Sequence, residues 1–178
     1  MRIISGKHKG KRITAPKKLP IRPTKDMAKE ALFNILVNRF QFSTLKTLDL
    51  FAGSGNISYE FSSRGVQNLT AVDSNFACVK FIEQTAKSLE AEINTIKSDV
   101  FSYLEKSPQQ FDIIFADPPY DFETEKFQTI SNLIFENNLL AEDGLLIIEH
   151  SKHTDLSTTK NFQDSRKYGG SVFSFFQN

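Results

Sequence analysis

The spacing of apolar residues changes several times along the chain, and each change predicts a different secondary structure. Between Met27 and Leu36 the apolar positions recur at intervals of three and four residues, which predicts a helix from Thr24 or Asp26 to about Arg39. Beyond this helix, short apolar runs alternate with helical patterns. The predicted strands are residues 45–50, 69–72, 93–97, 111–116 and 144–149, and the predicted helices between them are residues 56–63, 75–89, 100–105 and 124–137.

This alternation predicts an α/β fold with a mostly parallel sheet, because a right-handed helical crossover joins each strand to the next. The pattern ends with two further strand-like runs, residues 162–168 and 171–176. Gly169 and Gly170 separate them, and a Gly-Gly pair between two such runs is typical of a two-residue hairpin. We therefore expect a seven-stranded sheet that ends in an antiparallel C-terminal hairpin.

The composition fits one globular domain and excludes several other classes of protein. The chain has 178 residues, of which 39% are hydrophobic and 24% charged, and its formal net charge is +1. A single cysteine, Cys78, excludes an intramolecular disulfide and a cysteine-based zinc cluster. No apolar run approaches the roughly 18 residues of a membrane span, and the N-terminus lacks the apolar segment of a signal peptide. We expect a cytoplasmic monomer. We also expect no metal site, because His8, His150 and His153 have no ligand-spaced partners.

Positive charge is concentrated at the N-terminus. Residues 1–25 contain nine basic residues and no acidic one, so residues 26–178 carry a net charge of −8. This asymmetry predicts a basic extension, residues 1–25, that binds a polyanion, followed by one α/β domain, residues 26–178. The alternative is a solvated tail without a binding role. The nine basic residues are Arg2, Lys7, Lys9, Lys11, Arg12, Lys17, Lys18, Arg22 and Lys25.

A glycine-rich segment follows the first predicted strand of the sheet. It reads Asp49-Leu50-Phe51-Ala52-Gly53-Ser54-Gly55, and its glycines allow a sharp turn and a close approach of the backbone to a ligand. A pyrophosphate loop of the NAD type is the alternative, but Ser58 occupies the position of its third glycine. Asp49 would repel a pyrophosphate, and it suits a ligand that carries a cationic amino acid.

Carboxylates also follow the second and third predicted strands of the sheet. Asp73, followed by Ser74, can accept hydrogen bonds from both hydroxyls of a ribose. Asp99, followed by Val100, can meet the amino group of an adenine. Asp73 or Ser74, and likewise Asp99, can instead cap the helix that comes next.

The tetrapeptide Asp117-Pro118-Pro119-Tyr120 follows the fourth predicted strand. Two consecutive prolines fix the backbone and remove two N–H donors, which leaves carbonyl groups without local partners. Asp117 and such a carbonyl form a pair of acceptors for an –NH2 group, and Tyr120 offers a flat face to a base. Open parallel sheets bind their ligands at this end of the strands, which favours a binding role over a rigid turn.

Taken in order, these four segments resemble the class I S-adenosylmethionine-dependent methyltransferases, which have a Rossmann-like fold. Asp-Pro-Pro-Tyr is similar to the tetrapeptide of the branch that methylates exocyclic amines of bases. Residues 2–6, the segment Arg22-Pro23-Thr24 and residues 29–34 are similar to the N-terminus of the RsmD family. That family comprises the bacterial 16S rRNA (guanine-N2)-methyltransferases, and the resemblance spans essentially the whole chain.

The resemblance implies S-adenosylmethionine as the cofactor and guanine 966 of 16S rRNA, in ribosomal numbering, as the methyl acceptor. The substrate would be the small ribosomal subunit or its assembly intermediate. Asp117, Pro118, Pro119 and Tyr120 would form the catalytic site. The residues assigned to the cofactor are Asp49, Phe51, Ala52, Gly53, Ser54, Gly55, Asp73, Ser74, Asp99, Val100 and Asp117, and those assigned to RNA are Arg2, Lys7, Lys9, Lys11, Arg12, Lys17, Lys18, Arg22 and Thr24.

Three other functions are compatible with parts of this pattern. An adenine-N6 methyltransferase uses the same tetrapeptide, although a DNA enzyme of this kind needs a target-recognition domain that the chain lacks. A non-catalytic RNA-binding assembly factor would not need the intact Asp49 and Asp117. A nicotinamide oxidoreductase is disfavoured by Ser58 and by the tetrapeptide.

Overall fold

The structure is a computed structural model that describes residues 1–19, 25–119 and 121–178. Three residues with predicted roles, Arg22, Thr24 and Tyr120, lie outside these ranges. Within them, the strands are β1 (Lys46–Leu50), β2 (Asn68–Asp73), β3 (Asn94–Lys97), β4 (Phe111–Ala116), β5 (Leu140–Ser151), β6 (Phe162–Tyr168) and β7 (Ser171–Phe176). The helices are α1 (Asp26–Val37), α2 (Asn56–Ser63), α3 (Phe76–Ser88), α4 (Val100–Lys106) and α5 (Thr124–Glu136), and a 3₁₀ turn covers Phe42–Thr44.

The seven strands of the described ranges form one sheet in the order β3-β2-β1-β4-β5-β7-β6. Strands β1 to β5 are parallel to one another, whereas β7 is antiparallel to both of its neighbours. The predicted α/β class, the parallel sheet and the antiparallel C-terminal hairpin are therefore confirmed. The order reverses between β1 and β4, and a crevice opens at such a switch point beyond the carboxyl ends of the strands.

Apolar residues cover both faces of the sheet. One face packs against α4 and α5, through residues such as Leu104 and Ile130. The other face packs against α1 and α2, through residues such as Leu32 and Phe61. Because both faces are buried, the central strands are apolar along most of their length, which is the pattern expected of a parallel sheet.

The predicted element boundaries agree with the structure to within a few residues, with one exception in β5. The apolar pattern predicted a strand over residues 144–149, whereas β5 spans Leu140–Ser151. Its early part contains the exposed residues Glu142 and Asp143, and an irregularity shifts its register against β4. Polar residues beside a bulge interrupt the apolar run, so the pattern did not reveal the extra length.

Residues 1–13 form an antiparallel loop that we call the arm. Ile3 donates its N–H to the Lys11 carbonyl at 3.0 Å, and Ile13 donates its N–H to the Met1 carbonyl at 3.0 Å. The side chains of Ile3 and Ile13 are buried in a cluster that includes Tyr59 of α2. The arm is therefore packed onto the domain.

Within the described part of the chain, no helix is both long and apolar enough to cross a membrane.

Candidate active site

Carboxylates lie at the carboxyl ends of four adjacent strands. Asp49 is the penultimate residue of β1, Asp73 ends β2, and Asp99 and Asp117 follow β3 and β4 closely. Since β1, β2, β3 and β4 are parallel neighbours, the fold brings these residues to one edge of the sheet. This edge is the one that the sequence pattern predicted as the binding site.

The loop between β1 and α2 has an unusual backbone. Phe51, Gly53 and Gly55 have positive φ values of 57°, 55° and 77°. A Cβ atom on Gly55 would lie 2.7 Å from the ring of Tyr59, so the loop conformation depends on glycine at this position. Ala52 donates its N–H to the Val72 carbonyl at 3.1 Å, which fixes the loop to β2.

Asp73 connects two segments of the site. One of its carboxyl oxygens accepts the N–H of Gly53 at 2.8 Å, and the other accepts the N–H of Asn75 at 2.8 Å. A carboxylate offers about four acceptor positions, so these two bonds leave capacity for the hydroxyls of a ligand. The capping alternative for Asp73 or Ser74 is not what is seen, because the N-cap of α3 is Asn75. Its side chain accepts the N–H groups of Ala77 and Cys78.

Asp49 is almost fully buried, with 2% of its surface exposed. Its Oδ2 atom accepts the backbone N–H of Ser58 at 3.1 Å and the Ser58 hydroxyl at 2.5 Å. Burial raises the pKa of Asp49 to about 7, and the hydrogen bonds from Ser58 oppose this shift. The sequence pattern treated Ser58 as a missing glycine, and its role as a partner of Asp49 was not predicted.

Asp99 and Val100 have a clear structural role at the start of α4. The Asp99 carboxylate accepts the N–H of Ser102 at 3.0 Å, as an N-cap does, and Val100 is buried in the core. Asp99 itself is exposed. Contact of these residues with an adenine stays a prediction.

Residues 117–119, which we call the acceptor segment, directly follow β4. Asp117 donates its N–H to the Leu50 carbonyl at 3.3 Å, so this segment is fixed to the end of β1. Asp117 is half-buried, Pro118 is buried and Pro119 is exposed. The Pro119 carbonyl accepts the N–H of Phe122 at 3.0 Å.

Aromatic rings connect the glycine-rich loop with the acceptor segment. Phe122 lies 5.6 Å from Phe51 and 6.3 Å from Phe101, measured between ring centroids. These contacts join the glycine-rich loop to the chain just beyond Pro119. Tyr120, which was predicted to stack on a base, lies outside the described residues.

The basic residues of the arm are mostly exposed. Arg2 pairs with Asp26 at 3.3 Å, and Lys7 pairs with Glu90 at 3.6 Å. The remaining described positions with predicted RNA contacts lie on the surface: Lys9, Lys11, Arg12, Lys17 and Lys18. Their contact with RNA stays a prediction, as does the division into residues 1–25 and 26–178.

The arm is attached to the domain by a buried ionic cluster that the sequence pattern did not reveal. Glu60 of α2 accepts the N–H groups of Ile4 at 2.8 Å and Ser5 at 3.1 Å. Lys29 of α1 lies 3.4 Å from Glu60 and donates hydrogen bonds to the Arg2 carbonyl and to Asn56. Burial lowers the pKa of the Lys29 ammonium, although Glu60 opposes the shift.

No group of three potential metal ligands occurs among the described residues.

The sheet order and the loop after β1 place the chain among the class I methyltransferase folds. A solved Thermus thermophilus 16S rRNA N2 methyltransferase, RsmC, in complex with AdoMet and guanosine, has this fold. It matches with a TM-score of 0.72 at 19% identity, over 89% of this chain and 45% of that chain. The structure titled "Putative methyltransferase yhhF" from Escherichia coli matches with a TM-score of 0.86 at 26% identity, over 99% of this chain and 97% of that one.

Comparison of sequences is more specific. The family model "Conserved hypothetical protein 95" matches residues 1–177. The chain is 32% identical over 167 residues to ribosomal RNA small subunit methyltransferase D of Haemophilus influenzae, which covers 91% of this chain and 84% of the relative. The chain belongs to this family, the RsmD family of small-subunit rRNA methyltransferases.

Proposed function

We propose that the protein transfers a methyl group from S-adenosylmethionine to N2 of a guanine in 16S rRNA, on the small subunit or its assembly intermediate. The target that the family resemblance implies is guanine 966 in ribosomal numbering. The observation that carries this proposal is the position of Asp117-Pro118-Pro119 beside a glycine-rich loop fixed by Asp73, at the switch point of the sheet. The RsmD-family membership of the chain supports the same reaction.

The residues at the carboxyl ends of β1 and β2 fit S-adenosylmethionine. Asp73 retains acceptor capacity for the two ribose hydroxyls. Asp49 lies beneath the loop, where a nearby cation would favour its ionised form and lower its raised pKa. The bound cofactor supplies an activated methyl group on a sulfonium centre.

The acceptor nitrogen is a poor nucleophile, because its lone pair is delocalised into the purine ring. Asp117 and the Pro118 carbonyl accept its two hydrogens, which favours a pyramidal nitrogen whose lone pair is available for attack. Asp117 does not need to be a strong base, since the proton becomes acidic once the nitrogen is alkylated. The main contribution of the protein is therefore orientation and exclusion of water.

The target base has to leave its stack to reach this crevice, and the arm provides charge for holding the surrounding RNA. Enzymes that modify a base act on an unpaired or flipped nucleotide. Lys9, Lys11 and Arg12 are exposed on the arm and suit phosphate contacts, which position RNA without reading its sequence.

The test uses small subunits from a bacterial strain that lacks the corresponding enzyme. We expect the purified protein and S-adenosylmethionine to add one methyl group to a guanine of 16S rRNA, mapped by nuclease digestion and mass spectrometry. Asp117→Ala should lose methyl transfer by roughly 10²-fold or more even at saturating S-adenosylmethionine, as when one preorganised polar group is removed. Asp121→Ala is the matched control, because Asp121 is exposed four residues further along the chain.

Three results would contradict the proposal. Methylation of an adenine would favour the N6 alternative. S-adenosylmethionine binding without any transfer, to subunits or to naked rRNA, would favour a non-catalytic assembly factor. Normal transfer by Asp117→Ala would exclude the assigned role of this carboxylate.

A further inference from the structure

A fifth carboxylate lies at the same edge of the sheet and has no part in the mechanism above. Glu149 is near the end of β5 and is buried, with 2% of its surface exposed. Strand β5 lies next to β4 in the sheet, so the position of Glu149 is directly comparable with that of Asp117.

The strand register places Glu149 level with Asp117. Ala116, the last residue of β4, pairs with Ile148 of the parallel strand β5. Asp117 directly follows Ala116, and Glu149 directly follows Ile148. The N–H of Asp117 still bonds to the Leu50 carbonyl, so the chain continues the ladder at this point. Neighbouring strands are about 4.8 Å apart, so the two carboxylate residues are neighbours across the strands.

Both residues belong to the same face of the sheet. Ile147, two residues before Glu149, packs on the face of α1 and α2, and so does Phe173, the antiparallel partner of Glu149 in β7. Phe115, two residues before Asp117, packs on that face as well. Because side chains alternate along a strand, Asp117 and Glu149 continue the same row.

We propose that Glu149 determines the specificity for guanine by accepting the N1–H of the target base while Asp117 accepts from the exocyclic amine. This inference rests on the proposed function, because it concerns the same acceptor site. In guanine, N1–H and the N2 amine are adjacent donors on one edge of the ring. Two neighbouring carboxylates match that edge, and flipped bases are commonly read along it.

The same arrangement rejects adenine. The N1 atom of adenine is an acceptor and has no hydrogen to donate to a carboxylate oxygen. A site built to receive a hydrogen bond discriminates strongly against an analogue that lacks the donor. The Asp-Pro-Pro-Tyr tetrapeptide also occurs in enzymes that methylate adenine. Glu149 thus provides a physical reason why this protein would select guanine.

The experiment compares guanine with 2-aminopurine, which keeps the 2-amino group but has no hydrogen on N1. Small-subunit particles are reconstituted with 16S rRNA that carries one base or the other at the methylated position. We expect the wild-type protein to methylate 2-aminopurine more slowly by on the order of 10- to 100-fold, the scale of a hydrogen bond to a charged group. In Glu149→Gln this difference should shrink at least several-fold, because the amide can donate to the bare N1.

The control is Glu142→Gln, which changes an exposed carboxylate on the same strand and should preserve the wild-type ratio. Equal rates of the wild-type protein on both bases would overturn the inference, and this arm stands even if Glu149→Gln does not fold. An unchanged ratio in a Glu149→Gln protein that binds S-adenosylmethionine normally would overturn it as well. A wild-type protein that does not methylate guanine at all would instead overturn the proposed function.

Discussion

At the scale of single residues, two glycines of the arm share a backbone conformation but differ in their surroundings. Gly6 and Gly10 have φ values of +82° and +83°, a region that L side chains rarely adopt. A Cβ atom on Gly6 would lie 1.7 Å from the carbonyl oxygen of Ser63, whereas one on Gly10 would meet nothing within 4 Å. Only Gly6 is required by close contact between the arm and the end of α2.

These two positions separate backbone strain from steric overlap. Gly10→Ala should lower the free energy of unfolding by about 1 kcal/mol, the cost of a left-handed conformation. Gly6→Ala should lower it by at least about 2 kcal/mol more, because the arm has to move away from a backbone atom. Urea unfolding of both variants measures the difference. Equal losses would show that the arm does not pack on Ser63 as described.

The raised pKa of Asp49 predicts a pH dependence of stability. The pKa is about 7 in the folded protein and about 3.9 in an unfolded chain. Between these values the folded state holds a proton that the unfolded state has lost, so stability falls as the pH rises from 4 to 7. Asp49→Asn should remove this loss, and its stability relative to wild type should increase by roughly 2–4 kcal/mol between pH 4 and pH 8.

Urea unfolding of both proteins at several pH values provides the measurement. His150 contributes with the opposite sign, because burial lowers its pKa and stability is gained as the pH rises through its unfolded value. That contribution is common to both proteins and cancels in the difference. A difference that does not change with pH would mean that Asp49 has an ordinary pKa.

At the scale of elements, the ionic cluster connects α1, α2 and the arm. Glu60 is fully buried, contacts Lys29 and Arg64, and accepts two backbone N–H groups of the arm. Removing one partner of a buried ion pair leaves the other charge without compensation, which costs about 3–5 kcal/mol. Glu60→Gln should therefore destabilise the protein by this amount in thermal or urea unfolding, and amide exchange at Ile4 and Ser5 should accelerate.

The exposed pair of Lys7 and Glu90 offers the matched control. Its partners lie 3.6 Å apart, but Glu90 is 86% exposed. Exposed ion pairs are screened by solvent and contribute little, so Glu90→Gln should leave the unfolding midpoint nearly unchanged. A similar effect of the two substitutions would mean that the cluster around Glu60 is accessible to water.

Much of the fold could be predicted from the sequence because its signals are local. Four elements have the predicted boundaries: α2 (Asn56–Ser63), β4 (Phe111–Ala116) and both strands of the C-terminal hairpin. Burial in the arm depends on contacts 50 or more residues apart, such as those between Ile4 and Glu60. The charge pattern therefore predicted a basic extension over residues 1–25, and it did not reveal that Ile3 and Ile13 belong to the core.

The candidate site shows the same division. The glycine-rich loop, Asp73 and Asp117 are recognisable because each follows a strand in a fixed order along the chain. The bond from Ser58 to Asp49 and the helix cap at Asn75 depend on side-chain directions that a pattern of residue types does not contain. The level position of Glu149 and Asp117 depends on strand register, which only the folded sheet defines.

At the scale of the whole molecule, charge is separated between the arm and the rest of the chain. The arm carries exposed basic residues, whereas residues 26–178 have a net charge of −8. Deleting the arm would also remove Ile3 and Ile13 from the core, so substitution of surface charges is the cleaner test. Lys9 and Lys11 are suitable because both are exposed near the tip of the arm.

The arm should govern how RNA binding depends on salt. Removing one ionic interaction with a phosphate lowers the slope of log affinity against log salt by roughly 0.7–0.9. Reversing Lys9 and Lys11 to Glu should weaken binding of 16S rRNA and flatten this slope, while S-adenosylmethionine affinity measured by calorimetry stays the same. Reversing Lys106 and Lys160, which are exposed and lie outside the arm, makes the same change of net charge. Neither residue has a predicted RNA contact, so this control should keep the wild-type slope. Equal slopes in all three proteins would mean that the arm does not bind phosphates and that its charge serves only solvation.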